Sequence, residues 1–397
     1  MTLSETAPSS SQVRAACRAT YVAFSGSGFA FASWAARIPQ VRDRLHLRPS
    51  ELGLVLLALA AGSVIALPLS GPVLTRLGSR RTVTAMALLL AAGFVITGIG
   101  YRSGVVPVVA GLFLVGFANG AWDVAMNVQG ARVEQLLGRS VMSRFHAGFS
   151  LGTVAGALIG AAMVALRVPV TAHLVAVAVA VGVVVPAAVR RYVPDRDDAA
   201  ADEAATTGSW QAWSEPRTLL IGVFVLAFAF AEGTGNDWIG VALIDGYDAP
   251  AATGTLGFAA FLAAMTAGRW VGPGLLDRYG RVAVIRALSV LALLGLVLFV
   301  FGPNTPIAFA GAIMWGGGTS LGFPVGMSAG ADDPARAASR VSVIASVGYC
   351  AFLGGPPLIG FLGQQLTVLR ALTAVAVLLG IAALITGNVR PLDRSGS

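Results

Sequence analysis

Residues 111–140, GLFLVGFANGAWDVAMNVQGARVEQLLGRS, join an apolar, glycine-spaced run to three polar side chains at intervals of four: Asn119, Asp123 and Asn127. On a helix this spacing puts all three on one face. An acid in hydrocarbon costs about 2.5–3.5 kcal/mol on insertion scales, so Asp123 should face a water-filled cavity or a partner rather than lipid. A carboxyl in such a place can load and release a proton, which makes Asp123 the first candidate for proton coupling. The competing reading is an ion pair with Arg144 or Arg340, because Asp123 lies late in its apolar stretch. A second acid, Glu232, sits in AEGTGNDW (231–238). Gly233 and Gly235 beside it favour a broken helix whose freed backbone groups line a cavity. Its alternative is an ion pair with Arg37 or Arg42. Asp237 reads as an interfacial charge. His146 shares a helix face with Ser150 and Thr153, where it could pass a proton or touch a solute, or simply end a helix.

These side chains need elements that hold them in a membrane. The chain has 397 residues, of which 56% are hydrophobic and only 12% charged. Its mean hydropathy is +0.78. A soluble protein of this length carries far more polar surface, so an integral membrane protein is expected. Twelve apolar stretches of membrane-spanning length occur at 18–38, 50–74, 82–100, 105–129, 144–166, 171–189, 217–242, 252–276, 282–301, 305–328, 340–362 and 369–388. The fold class is therefore an all-α membrane protein. A β-barrel would need short alternating segments, which the sequence lacks.

All 27 basic residues are Arg, and the net charge is +8. A nucleic-acid partner is excluded, because the Arg cluster in short loops between apolar spans, where topology accounts for them. With both termini on one side, that side takes 20 Arg and leaves seven (Arg37, Arg42, Arg44, Arg48, Arg102, Arg167 and Arg370) on the other. This puts the termini in the cytoplasm. The loop after the first span, RIPQVRDRLHLRPS, is the exception; it reads as a surface helix or an outer gate. Cys17 and Cys350 are too far apart in sequence to suggest a metal site or disulfide framework. His46 and His173 read as structural. No cleavable signal pattern precedes the first span.

The longest polar segment, 190–216, divides the chain into an N-terminal six-span half (1–189) and a C-terminal one (217–397). It reads as a cytoplasmic linker, with Trp210 and Trp213 anchoring at headgroup level before span 7. The halves repeat. GPVLTRLGSRR (71–81) follows span 2 and GPGLLDRYGR (272–281) follows span 8, which sets Arg76 on Arg278 and Gly78 on Gly280. GLFLVGFANG (111–120) aligns with GAIMWGGGTS (311–320), matching Gly111 to Gly311 and Gly116 to Gly316.

These residues resemble the major facilitator superfamily, whose loop between helices 2 and 3 has the pattern G-x-x-x-D-R-x-G-R-R/K. The C-terminal copy keeps Asp277, Arg278, Gly280 and Arg281; the N-terminal copy keeps Gly71, Arg76, Gly78, Arg80 and Arg81, with Thr75 in the Asp position. The family uses that Asp to latch helix ends, so the resemblance implies a weaker or differently built latch here. Drug–proton antiporters of the family carry an Arg inside helix 4 and a Gly-Pro motif in helix 5, and both are missing. Asp123 followed by Asn127 is similar to the fucose–proton symporter branch, which has Glu at that place.

The resemblance implies that helices 1, 4, 7 and 10 line the pathway. The matching spans hold Ser33, Trp34 and Arg37; Asn119, Trp122, Asp123 and Asn127; Glu232, Asn236, Asp237 and Trp238; and Trp315, Thr319 and Ser320. Amides for hydroxyl groups and flat rings for CH faces suit a sugar or polyol. Trp34, Asn119, Trp122, Asn127, His146, Asn236, Trp238 and Trp315 are thus the expected solute contacts, with Asp123 and Glu232 the expected proton carriers. Arg269 in span 8 can snorkel or serve the motif loop. Gly354, Gly355, Pro356 and Pro357 suggest a kink or close helix contact.

No phosphate-binding G-x-x-x-x-G-K-[ST] loop or His/Cys cluster is present, so neither an enzyme nor a cofactor is expected. The reading is a monomeric secondary transporter in a bacterial inner membrane, its partners a small polar solute, protons and lipid. Proton-coupled efflux and a non-transporting solute sensor are the alternatives.

Overall fold

The computed structural model describes residues 9–195, 209–333 and 336–392, all but the side chains of residues 209 and 210. Every regular element among them is helical. In chain order these are α1 (Ser10–Ala35), α2 (Ile38–Leu45), α3 (Pro49–Gly100), α4 (Val105–Leu137), α5 (Met142–Ala165), α6 (Val170–Val189), α7 (Ser209–Ala212), α8 (Pro216–Tyr247), α9 (Ala251–Tyr279), α10 (Arg281–Phe301), α11 (Thr305–Thr319), α12 (Gly322–Gly330), α13 (Ala337–Gln365), α14 (Val368–Ala371) and α15 (Thr373–Ile385), with a 3₁₀ turn at Thr386–Val389.

Nine helical stretches among the described residues are long and apolar enough to cross a membrane. One of them, α3, holds 52 residues and two spans, separated at Gly78. Adding that second span, α1, whose sequence Ser and Gly dilute, and the α11–α12 pair brings nine to the expected twelve. Helix dominates because lipid offers no partner to open backbone groups. Residues 196–208 of the 190–216 segment, Arg196 among them, lie outside the described residues, as does the Trp210 side chain; Trp213 is exposed.

The chain forms two compact units. Of the described residues, the first takes 9–34, 58–156 and 168–195, and the second takes 35–57, 157–167, 209–333 and 336–392. Their internal packing repeats as the sequence alignment suggests. In the first unit, a Cβ on Gly111 would lie 2.7 Å from the carbonyl oxygen of Gly93, and one on Gly116 would lie 1.9 Å from that of Leu59. In the second, a Cβ on Gly311 would lie 2.5 Å from the Gly295 oxygen, and one on Gly316 2.2 Å from that of Phe261. The matched glycines are thus where α4 and α11 each press their backbones against two neighbouring spans. Helices in lipid gain little from apolar burial and associate through such close contacts.

The two motif loops share a backbone break. Gly78 has φ 72°, ψ 163° and Gly280 φ 79°, ψ 157°, a region only glycine occupies without strain. The N-terminal copy has Thr75 in the Asp position. Thr75 bonds within its own helix, to the Pro72 oxygen at 3.0 Å. Asp195, from the segment after α6, instead accepts from the Ser79 N–H just past the break. An anion there caps the freed N–H groups of a helix start. The same segment is fastened at Val193, whose main chain exchanges two hydrogen bonds with the Gln129 amide of α4 (3.2 and 3.1 Å). In the second unit Arg281 donates to Asp332 (2.7 Å) and to Ser328 (3.0 Å), and Asp332 also takes Arg217 (3.3 Å).

One expected helix break is corrected. α8 runs unbroken through Gly233 and Gly235. The glycines make room there: an added Cβ would lie 3.3 Å from Phe352 at Gly233 and 2.5 Å from Phe261 at Gly235. Span 10 breaks instead, between α11 and α12 at Ser320–Leu321. Pro324 has no N–H for the Ser320 carbonyl four residues earlier, so that oxygen is orphaned. Thr319 and Ser320 also turn their hydroxyls back onto helix carbonyls, at 3.0 Å to Trp315 and 2.7 Å to Gly317, a pattern that bends helices. α13 is continuous through Gly354–Pro357, and a close helix contact forms there: the Pro356 carbonyl sits 2.5 Å from where a Cβ of Gly53 would be.

Candidate functional site

In the first unit the polar stripe forms as the spacing predicts. α4 extends to Leu137, so Asp123 is the nineteenth of its 33 residues (105 to 137), nearer mid-helix than the expected span placed it. Asn119, Asp123 and Asn127 are all partly accessible, while Gly120, Ala121, Trp122, Ala125 and Met126 around them are buried. The Asn127 amide donates to the Asp123 carbonyl oxygen at 2.8 Å and reaches its carboxylate at 3.3 Å. No basic side chain pairs with Asp123 among the described residues. Arg340, one of the two expected partners, is held by Glu215 and Asp333; Arg144 is exposed.

Asn119 accepts from the Ser27 hydroxyl of α1 at 2.8 Å. Sequence reasoning missed Ser27, although the small-residue run Ser25–Gly28 marks a close helix contact. Trp34 and Trp122 are buried, and the Trp122 indole N–H lacks a hydrogen-bond partner among the described residues. His146 is exposed and lies edge-on to Phe24, ring centroids 5.1 Å apart. Ser150 and Thr153 are buried, with the Thr153 hydroxyl donating to the Ser150 carbonyl at 2.7 Å.

In the second unit Glu232 is paired, but with neither expected partner. Arg269 of α9 holds both its oxygens, at 3.0 and 2.9 Å. The Arg269 Nε meanwhile donates to the orphaned Ser320 carbonyl at 3.3 Å. One guanidinium therefore neutralises the acid of α8 and fills the backbone gap of the broken span. Gly268 beside it permits the approach, since a Cβ there would lie 2.4 Å from the Ser320 hydroxyl.

Among the described residues the buried side-chain oxygen of Asn236 has no hydrogen-bond partner, nor has the Trp238 indole N–H. Trp315 is fully buried with edge contacts to Phe261 and Phe299. Unpaired buried polar groups are costly, which makes these atoms candidates for contacts with a polar guest. A cavity of about 230 Å³ adjoins Trp238, lined also by Arg42, Leu47, Pro49, Leu52, Val241, Asp245 and Val368. It is smaller than the roughly 300 Å³ at which small-molecule pockets begin.

The loop after α1 folds as the helix α2, with Arg42 bonded to Asp43 and to Asp245 of α8. At the motif loops Gly71, Arg76, Arg80, Asp277 and Arg278 are exposed, with the Arg278 guanidinium 5.1 Å from the Tyr279 ring centre.

Outside the spans, at the start of α8, Glu215 accepts from Arg340 (2.6 Å), Thr218 (2.7 Å) and Arg336 (3.0 Å). Arg340, above all, pulls its carboxyl down from 4.5 to about 2. A lowered native value means stability that is complete above 4.5 and lost as pH falls through 2. Glu215→Gln should therefore lower the melting temperature near neutral pH, and thermal melts should show that deficit shrinking as the pH falls towards 2.

The Major Facilitator Superfamily family model matches residues 20–354. The chain belongs to the Major Facilitator Superfamily. Its relatives include an uncharacterized transporter of Sinorhizobium fredii, 29% identical over 370 residues covering 93% of this chain and 96% of that one. An uncharacterized MFS-type transporter of Yersinia pestis is 29% identical over 361 residues, covering 91% and 92%. Among solved structures, the nucleoside transporter NupG superposes with a TM-score of 0.74 at 14% identity, covering 95% of this chain and 98% of that one. The E. coli fucose–proton symporter gives 0.61 at 13% identity, covering 94% and 100%. This superfamily protein is accordingly a multi-pass membrane transporter with the twelve-helix fold.

Proposed function

We propose that this transporter carries a small polar solute, of the sugar or polyol kind, together with protons by alternating access. One observation carries the reading: Asp123 stands in the middle of a membrane-spanning helix, partly accessible, with an amide neighbour and no counter-charge among the described residues. An acid so placed needs a mobile positive charge, and a proton is the simplest one. Glu232 has a fixed partner in Arg269, so we assign it to holding α8, α9 and the broken span together. Within the first unit the Asn119 and Asn127 amides offer hydrogen bonds to a solute, with His146 at the start of α5 a further contact; within the second unit the Asn236 amide and the Trp238 indole N–H do so.

The Arg distribution supports a bacterial inner-membrane location with cytoplasmic termini. We assign the monomer as the working form. A proton entering with the solute would contribute about 2.3 kcal/mol per 100 mV.

The test is proton movement in proteoliposomes carrying a pH dye, challenged with sugars, polyols, organic acids and nucleosides. One solute should make the outside medium alkaline with the native chain. Asp123→Asn should reduce that signal well below the native size and still exchange labelled solute across the membrane. Solute-driven proton flux of native size in Asp123→Asn would refute the assignment of Asp123.

A further inference from the structure

α8 carries a second acid that has no partner among the described residues. Asp237 lies inside the span, and no hydrogen bond or ion pair reaches its carboxylate among the described residues, whereas Glu232 five residues earlier is held by Arg269. Its face is turned to protein. Gly233 and Gly240, one helical turn to either side, pack on Phe352 of α13 and Pro39 of α2, at 3.3 and 3.4 Å from where their Cβ atoms would be. The same turn holds the unpartnered side-chain oxygen of Asn236 and the unpartnered indole N–H of Trp238. Asp237 itself is partly accessible.

The charged groups around α8 are paired elsewhere or exposed. On α8, Arg217 pairs with Asp332, Asp245 pairs with Arg42, and Tyr247 donates to the Phe299 carbonyl. On α2, Arg42 is shared by Asp43 and Asp245, and Arg44 is exposed. On α9 Arg269 is bound to Glu232, and on α13 Arg336 and Arg340 are bound to Glu215. Arg370 of α14 is exposed. Arg37, before α2, is buried and has interactions of its own. Lone intramembrane acids of this kind are expensive and are kept where an ion or proton passes.

We infer that Asp237 is a second proton-carrying carboxylate, so that the cycle moves two protons per solute, one on Asp123 in the first unit and one on Asp237 in the second. Each carboxylate takes one proton from water on one side of the membrane and returns it on the other, with no other bond made or broken. This inference rests on the proton-coupled reading above.

The experiment is accumulation of a labelled neutral solute in proteoliposomes, with the membrane potential clamped at zero and an imposed gradient of one pH unit. Each coupled proton then multiplies the equilibrium concentration ratio about tenfold. The native chain should reach about hundredfold, Asp237→Asn about tenfold with counterflow of labelled solute intact, and Asp237→Glu the native value. Native accumulation in Asp237→Asn, or only tenfold in the native chain, would overturn the second site and leave proton coupling standing. Loss of counterflow in Asp237→Asn would place the residue in solute binding or folding and also overturn it. No accumulation by the native chain would remove the coupled reading itself, and this inference with it.

Discussion

Arg269→Gln should lower stability in detergent by about 3 kcal/mol, the low end of what breaking a buried ion pair costs, because its groups keep some surface. The variant strands the Glu232 carboxylate inside a span and leaves the Ser320 carbonyl without its donor. Glu232→Gln should cost less, since the guanidinium keeps the Ser320 bond and can snorkel. The double variant Glu232→Gln with Arg269→Gln should recover part of the Arg269→Gln loss, because the stranded charge is gone while the orphaned carbonyl remains. Chemical denaturation of all four forms closes the cycle and isolates the pair. Equal losses that simply add would mean that the two side chains do not work together. Solute-driven proton flux should survive Glu232→Gln in whatever fraction stays folded.

The second large effect concerns packing. Gly116→Val should prevent assembly of the first unit, because even the first carbon added would stand 1.9 Å from the Leu59 carbonyl oxygen. The obstacle is backbone on a neighbouring span, so no rotamer change relieves it. The equivalent Gly316→Val meets the Phe261 carbonyl at 2.2 Å. Overpacking in a well-filled interior typically costs 1–3 kcal/mol, and a backbone clash of this depth should exceed that range, at about 4 kcal/mol or more. Gly274→Ala is the control, because nothing lies within 4 Å of its added carbon. Size-exclusion profiles of detergent-solubilised protein should show aggregation or loss for both valine variants and a native peak for the control. Native profiles for the valine variants would contradict the packing described here.

Much of this architecture was legible because lipid leaves the backbone so few choices. Stretches such as 171–189 and 282–301 can only be spans, and each is a helix in the structure. The alignment of Gly111 with Gly311 and Gly116 with Gly316 foretold matching contacts, since close backbone approach requires glycine at a fixed depth. The polar stripe of α4 was likewise visible in its four-residue spacing.

Partners across space were not legible. Nothing local in the sequence ties Glu232 to Arg269, Arg42 to Asp245, or Ser79 to Asp195. Thr75 implied a weaker or differently built latch, but nothing near it in the sequence pointed to the bond between Asp195 and the Ser79 N–H. The helix break was misplaced for a physical reason. Glycine weakens a helix by only about 1 kcal/mol, which open backbone in lipid would cost several times over. Span 10 breaks where Pro324 withholds a donor and Thr319 and Ser320 also turn their hydroxyls onto helix carbonyls, a combination α8 does not meet at Gly233 and Gly235.

The most direct test of the coupled-transport account follows two signals in the same vesicles: entry of a labelled solute and the pH of the lumen. The account predicts that solute and protons enter together, the lumen acidifying as label arrives, and that a protonophore abolishes accumulation above equilibrium. Label entering while the lumen turns alkaline would mean exchange rather than co-transport, and bound label that never crosses would mean a sensor; either result would contradict the account.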